Sequence, residues 1–270
     1  MFVDSHCHLN DAALAPQLPQ IRAAMQAAQV DRALCICTTL EEFDGVHALA
    51  TRYDNFWATV GVHPDEEGVR EPSVQDLLDR AALARVVAIG ETGLDYYGMQ
   101  DRKGGRSIAD LDWQRTRFST HIRAARAARK PLVIHTRSAS DDTLGILREE
   151  GEDGGASSAG GVFHCFTETQ AVARAALEMG FYISFSGILT FKNAQDLRDV
   201  AAFVPLDRLL IETDSPYLAP VPYRGKVNNP SYVPFVAQQI AQLRGLPVEE
   251  VAELTSRNFE RLFLRGEPQP

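Results

Sequence analysis

The chain has 270 residues, of which 45% are hydrophobic, and a formal net charge of −9 at pH 7. This negative balance means that the molecule as a whole does not attract nucleic acid, so any such contact must come from local groups or metal ions. The four cysteines show no CxxC spacing, which argues against a disulfide framework and against structural zinc held by thiolates. No apolar run is long enough to cross a membrane, and His6 leaves no room for a removable leader, so we expect a cytoplasmic protein.

Short apolar runs alternate with longer helical segments along the whole chain. In chain order, the predicted strands cover residues 2–5, 32–38, 55–62, 85–90, 132–134, 162–164, 181–185 and 208–212. The predicted helices between them lie near 16–29, 41–53, 73–84, 112–129, 139–149, 168–179 and 193–202, and two more follow near 230–244 and 248–263. This alternation predicts parallel βαβ units.

Such units can form an open, doubly wound sheet or a closed (β/α)8 barrel. The count of eight strands favours the barrel. The placement of polar residues favours it further, because the downstream ends of all barrel strands converge on one face, where active sites are built. The sequence shows no internal repeat and no linker between folding units. We therefore predict one α/β TIM-barrel domain over residues 1–270.

The candidate functional residues lie at or beside the downstream ends of the apolar runs. They are His6, His8, His63, Glu91, His135, His164, Glu212 and Asp214. Any one of them alone is ordinarily a satisfied polar residue. However, His6 and His8 stand two apart on an extended segment and so project to the same side. Five of the seven histidines lie at predicted strand ends, whereas His47 and His121 fall in predicted helices.

Several imidazoles with two carboxylates form a donor set that suits zinc, manganese or iron, and magnesium less well. There are too many ligands for one tetrahedral ion, so we expect two divalent ions with Glu91 bridging them. The expected partners of Glu91 are His6, His8 and Asp214 at the first ion, and His135 and His164 at the second. Two ions about 3.5–4 Å apart activate a water and polarise a phosphoryl or carbonyl oxygen. Asp214 is then placed as the general base.

Seven segments of the chain together form a specific pattern. They are Asp4-Ser5-His6-Cys7-His8-Leu9, Gly61-Val62-His63-Pro64, Gly90-Glu91-Thr92-Gly93-Leu94-Asp95, Ile134-His135, Phe163-His164-Cys165-Phe166, Glu212-Thr213-Asp214-Ser215-Pro216-Tyr217 and Tyr223-Arg224-Gly225-Lys226 followed by Asn228 and Pro230. In content and order they resemble the TatD-like metal-dependent deoxyribonucleases of the amidohydrolase superfamily. The resemblance implies a TIM barrel, a divalent metal pair and exonuclease-type hydrolysis of DNA. It places metal-ligand roles on His6, His8, Glu91, His135, His164 and Asp214.

For several other residues at this face, two alternative roles are open. His63 either contacts a substrate phosphate or packs before Pro64, and Glu212 either supports a ligand or makes a structural hydrogen bond. Arg224 and Lys226 either bind phosphate or are only solvated. Asn229 stands where the family usually has Glu. The polar stretch 98–110 follows the fourth strand, so it should lie on the active face and shape substrate access.

Five arginines of the helix 112–129 are interpreted as a solvated face. They are Arg115, Arg117, Arg123, Arg126 and Arg129.

The ligands do not specify the bond that is hydrolysed. A nuclease acting on DNA, or on RNA, is the first hypothesis. The alternative keeps the metals and hydrolyses an ester or amide, as in a deacylase acting on aminoacyl-tRNA, and a third reading is a non-catalytic binding protein. The choice among magnesium, manganese and zinc, the polarity of digestion and the oligomeric state stay open, with a monomer favoured.

Overall fold

A computed structural model describes residues 1–99 and 104–265 of the chain. Within these residues, eight parallel strands form one sheet in which each strand pairs with the next along the chain. The strands are β1 (Phe2–Cys7), β2 (Val30–Cys35), β3 (Phe56–Val60), β4 (Val86–Asp95), β5 (Leu132–Arg137), β6 (Gly161–Phe163), β7 (Tyr182–Phe185) and β8 (Leu209–Ile211).

In the described parts of the chain, seven α-helices lie between successive strands in sequence, two more follow β8, and together they cover the outside of the sheet. They are α1 (Leu18–Ala27), α2 (Phe43–Arg52), α3 (Val74–Ala81), α4 (Asp112–Ala128), α5 (Ser140–Glu149), α6 (Gln170–Glu178), α7 (Gln195–Phe203), α8 (Val233–Arg244) and α9 (Val248–Phe263). Local signals account for their ends. For example, Ser73 and Asp76 form a capping box that starts α3, and Gly245 in a left-handed conformation ends α8.

Hydrogen bonds between β1 and the segment after β8 draw the sheet into a barrel. The backbone N–H of His8 donates to the Ser215 carbonyl at 2.8 Å. The N–H of Asp214 donates to the His6 carbonyl at 3.0 Å. The predicted (β/α)8 barrel is therefore confirmed, and its seam runs through three of the predicted ligand positions, His6, His8 and Asp214.

Strand β4 departs from the prediction, which ended it at Gly90. The strand continues to Asp95, with a shift in its pairing with β5 between Ile89 and Thr92. A Cβ at Gly90 would lie 2.7 Å from the Val133 side chain, so only glycine allows the two strands to approach this closely. The predicted end of the strand is wrong. Glu91 lies inside β4, and the four residues beyond it add a further carboxylate, Asp95, to the face.

The polar stretch 98–110 lies partly outside the described residues, because positions 100–103, with Arg102 and Lys103, are not among them. Near its described end, the N–H groups of Gly105 and Arg106 donate to the Met99 carbonyl. The guanidinium of Arg106 pairs with Glu67 of the loop after β3. Among the residues described, no helix combines the length and the apolar character needed to span a bilayer.

Candidate metal centre

The predicted site residues gather at the downstream end of the barrel. His6 lies in β1 and His8 directly after it, Glu91 lies in β4 and His135 in β5. The remaining four follow β3, β6 and β8, and they are His63, His164, Glu212 and Asp214. All eight lie within one connected group of short contacts.

One oxygen of the buried Glu91 carboxylate faces His6 and His8. Its Oε2 lies 3.2 Å from Nε2 of His6 and 3.9 Å from Nε2 of His8. Oδ1 of Asp214 completes this group, at 3.6 Å from the same atom of His6 and 3.3 Å from that of His8. These are the residues expected to hold the first ion.

The other oxygen of Glu91 faces a second set of imidazoles. Its Oε1 lies 2.8 Å from Nε2 of His164, 3.2 Å from Nδ1 of His135 and 3.3 Å from Nε2 of His63. His164 also stacks on His6, with ring centroids 3.8 Å apart. The two oxygens of one carboxylate thus contact two different sets of ring nitrogens, which is the geometry expected of a bridging ligand.

Charges in the group are strongly interdependent. Burial alone would raise the pKa of Glu91, but the imidazoles of His164, His63 and His6 outweigh it and hold this pKa well below its usual range. Burial would likewise lower the pKa of His164, but the carboxylates of Glu91 and Glu212 raise it well above the ordinary value. The Glu91 carboxylate is therefore ionised and depends on positive charge beside it.

Two of the second-set histidines carry a carboxylate on their other ring nitrogen. Nε2 of His135 lies 3.2 Å from Oδ2 of Asp95, and Nδ1 of His164 lies 3.3 Å from Oε1 of Glu212. The same oxygen of Glu212 accepts the Cys165 backbone N–H at 2.7 Å. A carboxylate accepts the ring proton at that nitrogen, so the nitrogen facing Glu91 presents its lone pair when the ring is neutral. This is how ligating histidines are oriented.

His63 is arranged in the opposite sense. The backbone N–H of Asp65 donates to Nδ1 of His63 at 3.1 Å, so that nitrogen must be the acceptor. In the neutral ring the proton then sits on Nε2, 3.3 Å from Glu91. His63 is therefore placed as a hydrogen-bond donor rather than as a lone-pair donor.

Two side chains of α4 hold the segment that carries His63. Arg117, whose side chain is 1% exposed, donates to the His63 carbonyl at 2.7 Å and pairs with Glu71. His121 accepts the Val62 N–H at 3.0 Å, and burial lowers its pKa to about 4. The prediction that Arg117 lies on a solvated face is wrong, because the loop after β3 folds over this part of the helix.

Asp4 positions the two segments that meet at the seam. Its carboxylate accepts the backbone N–H groups of His6 at 3.2 Å and Thr213 at 2.9 Å, and the Thr213 hydroxyl at 2.5 Å. Burial raises the pKa of Asp4 to about 8, against the effect of these donors. Buried Asn228 adds support from the far end of the loop, donating to the Thr213 and Tyr217 carbonyls at 2.9 and 2.6 Å. Asp214, between these anchors, adopts a left-handed conformation.

The donor set fits divalent metal ions. Three groups have donor atoms that all lie within 4.8 Å of one another, and they are His6, His8 and Asp214; His63, Glu91 and His135; and His6, His164 and Glu212. Within the eight site residues, two buried side-chain atoms that could bind a metal, Nδ1 of His6 and Oε2 of Glu212, have no hydrogen-bond partner. Imidazole and carboxylate donors together suit zinc, manganese and, with more carboxylate or water, magnesium.

Arg224 and Lys226 take no part in this group of contacts. The guanidinium of Arg224 lies 4.2 Å from the ring centroid of Phe191, and Nζ of Lys226 lies 5.6 Å from that of Tyr223. Asn229, the position that departs from the family pattern, caps the turn before α8 by accepting the Ser231 N–H and hydroxyl.

Asp4 and Asp95 had no assigned role in the sequence analysis. Both stand in its motifs, and their spacing is the signal available: each lies an even number of residues from a candidate ligand on the same strand, Asp4 from His6 and Asp95 from Glu91.

A barrel with histidines and carboxylates gathered at the downstream ends of its strands is the architecture of a metal-dependent hydrolase. The family model described as "TatD related DNase" matches residues 3–264, so the chain belongs to this family of metal-dependent hydrolases.

Similar proteins agree with this assignment. The chain is 47% identical over 265 residues to "Uncharacterized metal-dependent hydrolase YcfH" of Escherichia coli (strain K12), covering 97% of this chain and 95% of that protein. It is 34% identical over 250 residues to "3'-5' ssDNA/RNA exonuclease TatD" of Citrobacter rodentium (strain ICC168), covering 90% of each. The crystal structure of YJJV, a TatD homolog from Escherichia coli K12, matches with a TM-score of 0.87 and 27% identity, covering 97% of this chain and 98% of that one.

Proposed function

We propose that this protein is an exonuclease that hydrolyses the phosphodiester bonds of single-stranded DNA with two divalent ions. The observation that carries the proposal is the position of Glu91, whose two oxygens address separate sets of imidazoles. His6, His8 and Asp214 would hold the first ion and His135 and His164 the second, with Glu91 shared between them. Magnesium, manganese and zinc are the candidate ions.

Bound at this centre, two divalent ions would supply Lewis acidity that activates the attacking water and neutralises charge on the phosphoryl oxygens. Asp214 would accept the proton of that water at a carboxylate oxygen. Burial would raise its pKa, but the hydrogen bond with His8 and the charge of His6 lower it, so the carboxylate is ionised and can take a proton. As the water oxygen bonds to phosphorus, the bond between phosphorus and the leaving ester oxygen breaks, and that oxygen takes a proton from solvent water.

His63 would act on the substrate rather than on the ions. Because the Asp65 N–H occupies its Nδ1, the proton of the neutral ring lies on Nε2, 3.3 Å from Oε1 of Glu91, and the side chain is 19% exposed at the mouth of the barrel. A donor at this position can bind a phosphoryl oxygen and stabilise the charge that develops there. Glu212 would serve as a positioning residue, since it contacts His164 and the backbone of Cys165.

The nucleic-acid substrate is supported by the Citrobacter rodentium relative, whose name states exonuclease action on single-stranded DNA and RNA from the 3′ end. The same direction is proposed here. With a net charge of −9, the chain must draw a polyanion to this mouth through the metal centre and nearby cations rather than through its overall charge.

The decisive experiment is digestion by metal-stripped protein, reconstituted in turn with magnesium, manganese and zinc. The substrates would be single-stranded DNA labelled at either end, RNA of the same sequence and an aminoacyl-tRNA. We expect stepwise shortening from the 3′ end of DNA. Asp214→Asn should abolish it, whereas Glu250→Gln, an exposed acid of α9, should not. Deacylation of the tRNA without action on DNA would overturn the proposal in favour of an ester hydrolase.

A further inference from the structure

A cavity of ≈ 290 Å³ opens among the segments that follow β6, β7 and β8, at the same end of the barrel as the metal centre. It is lined by Thr167 after β6, Arg224 after β8 and six residues after β7. Four of those six carry the argument below, and they are Ile188, Phe191, Asn193 and Asp196. None of these residues contributes to the contacts around Glu91. Its volume lies at the lower end of the range, roughly 300 Å³ and above, of cavities that hold small molecules.

The cavity is joined to the centre through short stretches of chain. Thr167 stands three residues beyond His164, so their Cα atoms are at most about 11 Å apart. Arg224 belongs to the loop that begins at Asp214. This loop packs against the one after β7: the Val221 N–H donates to the Thr190 hydroxyl at 2.9 Å. The cavity is therefore within reach of a strand whose phosphate occupies the centre.

The walls of the cavity suit a flat, partly polar ring. Ile188 and the Phe191 ring supply apolar surface, and the Arg224 guanidinium lies 4.2 Å from the Phe191 ring centroid. Aromatic faces and arginine planes are the surfaces on which the bases of single strands stack. Asn193 and Asp196 offer amide and carboxylate groups that can hydrogen-bond the edge of a base.

A phosphate fits the same cavity poorly. Arg224 is its only lining cation among the described residues, and Asp196 offsets that charge. The segment that carries Phe191 is fixed from behind, because Arg198 donates to the Phe191 carbonyl at 2.8 Å. The cavity therefore presents an ordered stacking surface with a polar rim, not an anion site.

We propose that this cavity is a base pocket, which binds one unpaired base of the strand whose backbone is cleaved at the metal centre. The inference rests on the proposed nuclease function. Such a pocket would make binding depend on the presence of a base next to the reacting phosphate. It also favours single strands, whose bases are free to turn outward, over duplex.

Binding can test the pocket separately from hydrolysis. Metal-loaded protein would be titrated with short single-stranded phosphorothioate oligonucleotides, which resist cleavage, by fluorescence anisotropy. The oligonucleotides would be either intact or with one abasic position moved along the strand. For the wild type, we expect an abasic residue at one position near the 3′ end to weaken binding about tenfold. In Phe191→Ala and Arg224→Ala this penalty should vanish, since both oligonucleotides would bind equally weakly. Lys192→Ala, an exposed neighbour outside the lining, is the matched control and should keep the full penalty.

Three results would overturn the base pocket: no measurable binding by the wild type, no abasic penalty at any position, or an undiminished penalty in both variants. Thermal melting of each variant shows whether the fold is kept. Failure of the nuclease proposal has a different signature, namely binding with the expected abasic penalty but no cleavage by the reconstituted enzyme. The metal content of Phe191→Ala and Arg224→Ala, measured by elemental analysis, should equal that of the wild type and thereby separates loss of base binding from damage to the centre.

Discussion

Oδ2 of Asp95 lies 3.2 Å from Nε2 of His135, while Nδ1 of the same ring faces Glu91 at the same distance. The ring is therefore held between an inner and an outer carboxylate. Asp95 is itself fixed, because its Oδ1 accepts the Tyr97 N–H at 2.8 Å and its backbone N–H donates to Gln114. This chain of contacts fixes which nitrogen of His135 is presented to the proposed ions.

Replacing Asp95 should weaken the second metal site specifically. In Asp95→Asn the side chain no longer offers a charged acceptor to His135, so we expect metal affinity or activity to fall about 10–100-fold. Glu212→Gln should have a similar effect through His164. Isothermal titration of the metal-stripped variants with the metal ion measures the affinity. Asp112→Asn, whose side chain is 74% exposed, is the control, and an affinity in Asp95→Asn equal to that of this control would contradict the assigned role.

His63 and His164 both contact Oε1 of Glu91, yet their replacement should have different consequences. His63→Leu should retain both ions and lose activity by roughly 10²–10³-fold, because a hydrogen-bond donor to the reacting phosphate is removed. His164→Leu should lose an ion, because a lone-pair donor is removed. Metal content by elemental analysis, combined with kcat, distinguishes the two variants. An ion lost from His63→Leu would show that His63 is a ligand after all.

Arg117 and Arg123 lie on the same helix and offer a matched pair. Arg117→Met removes a buried guanidinium and leaves the His63 carbonyl without its donor, so we expect a loss of about 1–3 kcal/mol in the free energy of unfolding. Arg123→Met breaks only the exposed pair with Glu150 and should cost at most about 1 kcal/mol. Urea unfolding measures both. Equal losses would mean that the contact with the His63 segment contributes nothing.

Neutral His121 should make stability depend on pH. Burial lowers its folded-state pKa from 6.5 to about 4, so the unfolded state takes up a proton first as pH falls. The contribution of neutral His121 to the free energy of unfolding is complete above pH 6.5. It falls by about 3 kcal/mol in total as pH falls toward 4. The difference in unfolding free energy between wild type and His121→Gln isolates this effect, because other titrating groups are common to both. A difference that stays constant between pH 7 and pH 4 would contradict it.

Most of the barrel could be predicted from the chain because its signals are local. Apolar runs of strand length, capping residues such as Ser73 and helical periodicity depend on near neighbours in sequence. Several strand ends differ by two or three residues from those predicted, and the largest difference is in β4, where the prediction stopped at Gly90 and the strand continues to Asp95. Beyond Gly90, Thr92 and Gly93 interrupt the apolar pattern, and only pairing with Ile134 and His135 of β5 keeps the chain extended.

The sequence alone determined the fold class and the set of polar residues at the barrel mouth, because strand direction in a (β/α)8 barrel brings all downstream ends to one face. It could not determine which atom of each residue faces which neighbour. Tertiary structure decided that Glu91 lies between two sets of imidazoles and that Asp95 lies behind His135. It also decided that Nδ1 of His63 is taken by Asp65 and that Arg117 is buried. These outcomes depend on contacts between separate segments of the chain and on side-chain rotation, neither of which leaves a periodic trace in the sequence.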